Sequence, residues 1–173
     1  MNLFLKIFRL LPPEIAHKIA LDLLSLSHRL GILSFIFRKP NDENCSFAGM
    51  DLSNRLGTAA GLDKNGDYID CLGALGFGFL EVGTVTPMPQ YGNPKPRVFR
   101  NFTENSIINR LGFNNGGVDR LIKNLRTRSF EGILGVNVGA NKNSKGDERI
   151  NDYLHCIETV SYTHLTLPTK DSV

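Results

Sequence analysis

Three short segments of this sequence end in residue types that suit ligand chemistry better than packing. The first runs Arg55-Leu-Gly-Thr-Ala-Ala-Gly61 into Leu62-Asp-Lys-Asn-Gly66, the second is Phe79-Leu-Glu-Val-Gly-Thr-Val85, and the third is Ile133-Leu-Gly-Val-Asn-Val138. Each is a run of apolar or small residues, as a buried strand requires. At or just beyond their C-terminal ends stand Lys64, Thr84 and Asn137. An ammonium, a hydroxyl and a carboxamide at one mouth would hold a polar ligand, and the alanines and glycines beside them let a flat ligand approach the backbone. Singly these residues say little, because a lone loop lysine is usually solvated and a lone asparagine is usually a turn former. Their coincidence at three strand ends favours a site. The run Asn109-Arg-Leu-Gly-Phe-Asn-Asn-Gly-Gly117 adds to it. It is too irregular for a helix or strand and reads as a shaped loop whose amides would hold a small anionic ligand.

The elements that must position these residues follow from spacing. Asp67 to Leu75, Val118 to Arg126 and Asp147 to Val160 have helical periodicity. Strand, loop and helix thus recur three times, which means parallel strands joined by crossover helices. A doubly wound sheet and a (β/α)8 barrel both fit that pattern. Residues 38–55 read as a polar linker with a small hairpin around Gly49, and Pro87 to Pro96 as a proline-rich loop. Arg97 to Asn101 with Ser106 to Ile108 reads as a β-hairpin insertion. No G-x-G-x-x-G run follows a strand, and no G-x-x-x-x-G-K-[ST] loop exists, so neither a Rossmann dinucleotide site nor a P-loop is supported.

The 173 residues suffice for one domain with a hydrophobic core, at 41% hydrophobic and 21% charged. Cys45, Cys71 and Cys156 are scattered and odd in number, which argues against a disulfide framework or a zinc site and gives no reason to expect any metal. The net charge of +3 is unevenly placed: residues 1–39 carry +4 and the remainder −1. That distribution favours a local contact with an anionic surface over a nucleic-acid-binding face. Residues 2–11 are apolar with Lys6 and Arg9 inserted, Pro12-Pro13 interrupts, and helical spacing resumes from Ile15 to Leu30. The reading is a two-helix amphipathic hairpin, too short in its apolar runs to span a bilayer, which needs roughly 20 residues. It either packs on its own domain or lies in a membrane interface.

Taken together, Ala59-Ala-Gly-Leu-Asp-Lys-Asn-Gly66, Glu81-Val-Gly-Thr-Val-Thr-Pro87, Pro94-Lys-Pro-Arg97, Ile108-Asn-Arg-Leu-Gly-Phe-Asn-Asn115 and Gly135-Val-Asn-Val-Gly139 resemble the dihydroorotate dehydrogenases in order and spacing. The N-terminal hairpin resembles the quinone-dependent, membrane-associated branch. The resemblance covers residues 1 to about 160, roughly half a family member. It implies an α/β fold, the N-terminal part of a (β/α)8 TIM barrel preceded by the hairpin. Residues 1–38 would form the membrane and quinone-access hairpin, and residues 39–160 the first half of an FMN-binding barrel. The implied activity is oxidation of dihydroorotate to orotate in pyrimidine synthesis, with FMN as cofactor and a membrane quinone as acceptor. Ala60, Gly61, Leu62, Asp63, Lys64, Thr84 and Asn137 would line the flavin. Lys64, Asn109, Arg110, Leu111, Gly112 and Phe113 would hold the substrate, helped by Asn114. The implied location is the cytoplasmic face of a bacterial inner membrane, as a peripheral protein.

The resemblance stops near Val160. Family members continue into a strand and a Ser-Pro-Asn loop whose serine is the base, so no catalytic residue is expected in this chain. Residues 161–173 are expected to be non-native, because Val160 to Thr169 is what a transposon-end sequencing adapter would encode. Ser161 and His164 are therefore not candidates for catalysis, and this length of chain is expected to be inactive alone. Two other readings compete. One is a different FMN barrel, such as a dihydropyrimidine dehydrogenase domain or a tRNA dihydrouridine synthase; the other is a non-catalytic membrane-binding module.

Overall fold

A computed structural model describes residues 8–37 and 44–162. Its elements in chain order are α1 (Pro13–Arg29), α2 (Leu33–Ile36), β1 (Cys45–Phe47), β2 (Met50–Leu52), α3 (Ile69–Gly73), β3 (Phe79–Val85), β4 (Val98–Asn101), β5 (Ser106–Asn109), α4 (Val118–Thr127), β6 (Ile133–Val138) and α5 (Asp147–Ser161). Residues 8–10 are also helical. The architecture is mixed α/β.

Its centre is the parallel pair β3 and β6, in register from Phe79 opposite Ile133 to Gly83 opposite Asn137. A single parallel bridge joins Gly57 to Phe79. The segment 55–61 therefore lies beside β3 but forms no regular strand, contrary to expectation. Its loop-like course has a cause: Asn54 accepts hydrogen bonds from the backbone N–H of Leu56 and Gly78, and Thr58 Oγ1 accepts from Glu81 N–H. Side chains thus occupy ladder positions that backbone groups would otherwise fill. The helix expected over 67–75 is shorter, Ile69–Gly73, because Asp67 and Tyr68 give their N–H groups to the Asp63 carboxylate.

The core forms where α4 crosses the sheet. Val118, Leu121, Ile122 and Leu125 recur at helical spacing, are buried, and meet Leu80, Val82, Val85 and Leu134. α3 adds Ile69 and Leu72, α5 adds Cys156 and Val160, and α1 contributes Leu21. Two antiparallel hairpins stand apart from this sheet, β1 with β2 and β4 with β5. Their positions match those expected around Gly49 and over 97–108.

Helix α1 starts with Pro13 in its first turn and presents two apolar faces. Ala16 and Leu21 are buried inward, while Ile15, Ile19, Leu23, Leu26 and Leu30 form an exposed stripe at intervals of three and four. The stripe continues through Ile32, Phe35, Ile36 and Phe37, of which Phe35 is 89% exposed. Of the first expected helix, only residues 8–10 are described; most of the tail, residues 163–173, lies outside the described residues as well.

Candidate functional site

A cavity of about 980 Å³ opens between the start of α1, the loop after Gly61, the proline-rich loop and the loop before α4. Among the expected site residues, Gly61, Leu62, Asp63, Lys64 and Leu111 line it. Arg110, Gly112 and Phe113 belong to the same bordering loop, and Asn109 ends the strand before it, without lining the cavity; Ala60, Thr84 and Asn137 do not line it either. Thr84 and Asn137 do meet one another. The Thr84 hydroxyl donates to Asn137 Oδ1 at 2.7 Å, and Asn137 Nδ2 donates to Glu81 Oε1 at 3.1 Å. Asn137 is thereby fixed in orientation at the C-terminal ends of two paired strands. Gly83 precedes Thr84 at φ +104°, and a Cβ there would run into the Asn137 carbonyl oxygen, so only glycine lets the strands come this close.

The Lys64 loop is built from within. The buried Asp63 carboxylate accepts the N–H of Asp67 at 2.9 Å and of Tyr68 at 2.7 Å, so it shapes the loop from within. Its burial pushes its carboxyl pKa up, while those two amides pull it back. Lys64 Nζ donates to Gly61 O at 3.1 Å. Burial lowers the lysine's pKa, Glu14 opposes that shift, and Arg97 adds to it.

Helix α1 enters the site through its first turns. Arg97 is buried and donates to Glu14 Oε1 from Nε at 3.1 Å and from a terminal nitrogen at 2.7 Å. Its other terminal nitrogen holds the carbonyls of Tyr91 and Asn93, so one guanidinium joins α1 to the proline-rich loop. The hydrogen bond from Arg97 keeps the Glu14 carboxyl below its ordinary range. His17, one turn on, also lines the cavity; desolvation and then nearby Lys64 lower its pKa. Further along α1, the Tyr68 hydroxyl donates to Asp22 at 2.7 Å and fixes the middle of the helix to the residue preceding α3.

The asparagine-rich loop is locked by side-chain amides. Asn115 is buried, accepts the N–H of Gly117 at 2.8 Å, and donates to Thr86 Oγ1 at 2.9 Å and Phe113 O at 2.8 Å. Asn65 reaches across from the Lys64 loop, its Oδ1 accepting Gly116 N–H at 2.7 Å. Asn114 lines the cavity, and its buried Oδ1 has no hydrogen-bond partner. A buried acceptor left unpaired is costly, and a ligand N–H would satisfy it. The arrangement therefore offers a cationic Lys64, an unpaired amide acceptor and a cavity wall of backbone and amides. That set suits a small, planar, anionic molecule that also carries N–H donors.

Sequence reasoning missed Glu14, His17, Gln90 and Asn65. Glu14 was legible only as a helix-start residue after Pro13, and His17 only as a polar position on an amphipathic helix. Nothing in their spacing tells which cavity the helix will cover.

Comparisons with known proteins cover most of the chain. The family model described as dihydroorotate dehydrogenase matches residues 44–167. A protein named dihydroorotate dehydrogenase (quinone) from Buchnera aphidicola is 50% identical over 173 residues, covering 97% of this chain and 51% of the relative. One of the same name from Marinobacter nauticus is 52% identical over 154 residues, covering 89% of this chain and 45% of the relative. The chain spans about half the length of the curated relatives it matches. Among solved structures, ligand-free DHODH from Eimeria tenella superposes with TM-score 0.74 at 34% identity, covering 87% of this chain and 43% of that one. The same protein in complex with ferulenol gives 0.69 at 33% identity, covering 84% of this chain and 41% of that one.

Proposed function

This chain belongs to the dihydroorotate dehydrogenase family, and from that premise we propose that it is the N-terminal part of an enzyme oxidising dihydroorotate to orotate, with FMN as cofactor and a membrane quinone as acceptor. The observation that carries the reading is the cavity itself. One face brings Lys64 and the Asn114 loop together, and the opposite face is the amphipathic helix α1. A soluble dehydrogenase has no need of such a helix over its site.

The residues present fit a flavin. Gly61 lines the cavity at φ +104°, and a Cβ built there meets nothing within 4 Å, so a ring can lie against its backbone. Gly61 through Lys64, with Ala60, Thr84 and Asn137 at the neighbouring strand ends, would hold it. Bound there, FMN would supply two-electron redox chemistry between a substrate C–H bond and a quinone acceptor. The chain's own residues bind and orient. Lys64 places positive charge near the substrate carboxylate, in a half-buried setting where water screens it little. Asn114 Oδ1 would accept a ring N–H of dihydroorotate. The loop Asn109 to Phe113 would close over the substrate, with Arg110 held against Pro96 O at 3.2 Å. The base that removes the substrate proton would come from outside this chain.

For the whole molecule, we read β3, β6 and the segment at 55–61 as consecutive strands of a (β/α)8 barrel. The helices over 8–36 form the proposed membrane and quinone-access hairpin. Support comes from the exposed stripe Ile15, Ile19, Leu23, Leu26 and Leu30 with Lys18 and Arg29 beside it, the composition of an interfacial helix. Among the described residues no helix is long and apolar enough to cross a membrane. The expected location is the cytoplasmic face of a bacterial inner membrane.

The test uses the full-length gene product, purified with its native cofactor. Dihydroorotate should bleach the flavin absorbance, and a short-chain quinone should restore it with orotate as product. Reduction by a nicotinamide cofactor, with dihydroorotate inert, would instead favour a different flavin barrel.

A further inference from the structure

Gln90, on the proline-rich loop, touches the loop before α4 and the loop after β6, although it lies outside every motif that pointed to the site. Its backbone pairs with Asn115 in both directions, N–H to Asn115 O at 3.1 Å and O to Asn115 N–H at 3.0 Å. Its side chain lines the cavity and divides its two functions. Nε2 donates to the carbonyls of Gly112 at 3.3 Å and Phe113 at 3.1 Å. Oε1 accepts from Asn141 Nδ2 at 3.0 Å and from the Lys142 N–H at 3.1 Å. One carboxamide thus ties the loop before α4 to the loop that follows β6.

The part of the loop it holds is the part least able to hold itself. Phe113 is a non-glycine residue at φ +53°, a left-handed conformation that L side chains avoid. Such a residue keeps its place only when its surroundings over-determine it. Here the Phe113 carbonyl receives two amide donors, Gln90 Nε2 and Asn115 Nδ2, the latter at 2.8 Å. Asn115 is itself locked onto Thr86, so it belongs to the frame. Gln90 is the donor that reaches in from the neighbouring loop. Asn141, which orients Gln90, is anchored in turn: its Oδ1 accepts Met88 N–H at 3.0 Å and its backbone N–H donates to Asp152 at 2.9 Å.

We propose that Gln90 is a positioning residue for the substrate. By fixing the peptide carbonyls of Gly112 and Phe113, it sets the loop from Asn109 to Asn114 at the distance from Lys64 that a small anionic ring requires. It acts through the loop and touches neither cofactor nor reacting atoms. The inference rests on the function proposed above and adds to it the source of the loop's geometry. Pre-setting a loop in this way lowers the ordering cost of binding, so its loss raises KM before it lowers the rate of the bound complex.

The two ends of the carboxamide allow a clean substitution. Gln90→Glu keeps an acceptor for Asn141 and Lys142 but turns the Nε2 donor into a second acceptor facing two carbonyls. In the full-length holoenzyme, Gln90→Glu and Gln90→Ala should each raise KM for dihydroorotate and Kd for orotate about tenfold, the loss expected for a part-buried hydrogen bond broken on one side. The kcat should stay within about threefold, and flavin content and KM for the quinone should not change. Limited trypsin cleavage after Arg110 should quicken in both variants, with or without orotate. The proposal is overturned if KM, orotate affinity and Arg110 cleavage all match the parent. It is equally overturned if flavin content and the quinone KM deteriorate in step with the dihydroorotate KM, which would make Gln90 a general structural residue. If the parent holoenzyme oxidises no dihydroorotate, the assigned function fails, and the cleavage rate at Arg110 still decides whether Gln90 holds this loop.

Discussion

Arg97 and Glu14 show how one ion pair can join the two faces of a site. Arg97 is 6% exposed and satisfies Glu14 and two carbonyls at once. Arg97→Ala should destabilise the folded chain by ~3 kcal/mol, since it strands a half-buried carboxylate and two loop carbonyls. Chemical denaturation at pH 7 would measure it. The pH dependence follows in sign. Glu14 has its folded pKa below the ordinary 4.5, so its pairing stabilises fully above that value and fades as pH falls through the lowered pKa. Proteolysis of α1 should therefore speed up in acid for the parent and respond less to the same pH change in Glu14→Gln. Lys64→Met in the full-length enzyme should cut kcat/KM for dihydroorotate by about 10²-fold and leave quinone KM unchanged. Lys64 was legible because its position just after a segment of small residues is itself informative. Arg97 was legible only as part of a motif, because a buried arginine announces its partner through the fold alone.

At the scale of elements, α4 is the member whose sequence and burial agree throughout. Its Val118, Leu121, Ile122 and Leu125 form one face, and each is buried against the β3–β6 pair. Leu121→Ala should cost about 3 kcal/mol, read as a lowered midpoint in urea, because Leu121 is fully buried and the site has little room to collapse. Helix α1 differs, since its periodicity serves two apolar faces. Residues such as Leu21 pack on α3 and the sheet, whereas Ile19 and Leu23 remain exposed. An Ile19→Glu, Leu23→Glu double variant of the full-length protein should lose sedimentation with anionic vesicles while keeping its thermal midpoint. Retained vesicle binding would remove the membrane role from this stripe. The segment at 55–61 is where the element reading went furthest astray. Strand-like composition was present, but Asn54 and Thr58 supply side-chain partners that compete with a regular ladder.

At the scale of the whole molecule, α5 exposes an apolar stripe. Ile150, Leu154 and Ile157 lie at helical spacing and are each at least half exposed, next to Tyr153. Among the described strands, β6 pairs with β3 alone, which leaves its other edge without a partner. The 173-residue polypeptide expressed by itself should accordingly self-associate and carry no flavin, seen as a high apparent mass on a sizing column and no absorbance near 450 nm, about where flavins absorb. A monomeric yellow protein would defeat that expectation. Supplying the remaining half of a relative as a second chain should cover α5 and restore solubility.

The strand ends, the helical spacing of α4 and the amide-rich loop follow from sequence because each depends on neighbours within a few positions. The order of the elements and the family resemblance were legible for the same reason, as local motifs in a fixed sequence. Four features were decided only by the tertiary structure: which helix closes the cavity, the Glu14–Arg97 pair, the inward turn of Asp63 and the grip of Gln90 on Phe113. Each joins residues from different segments, 83 positions apart for Glu14 and Arg97. Such contacts arise when packing brings separate elements together, and no local period in the chain encodes them.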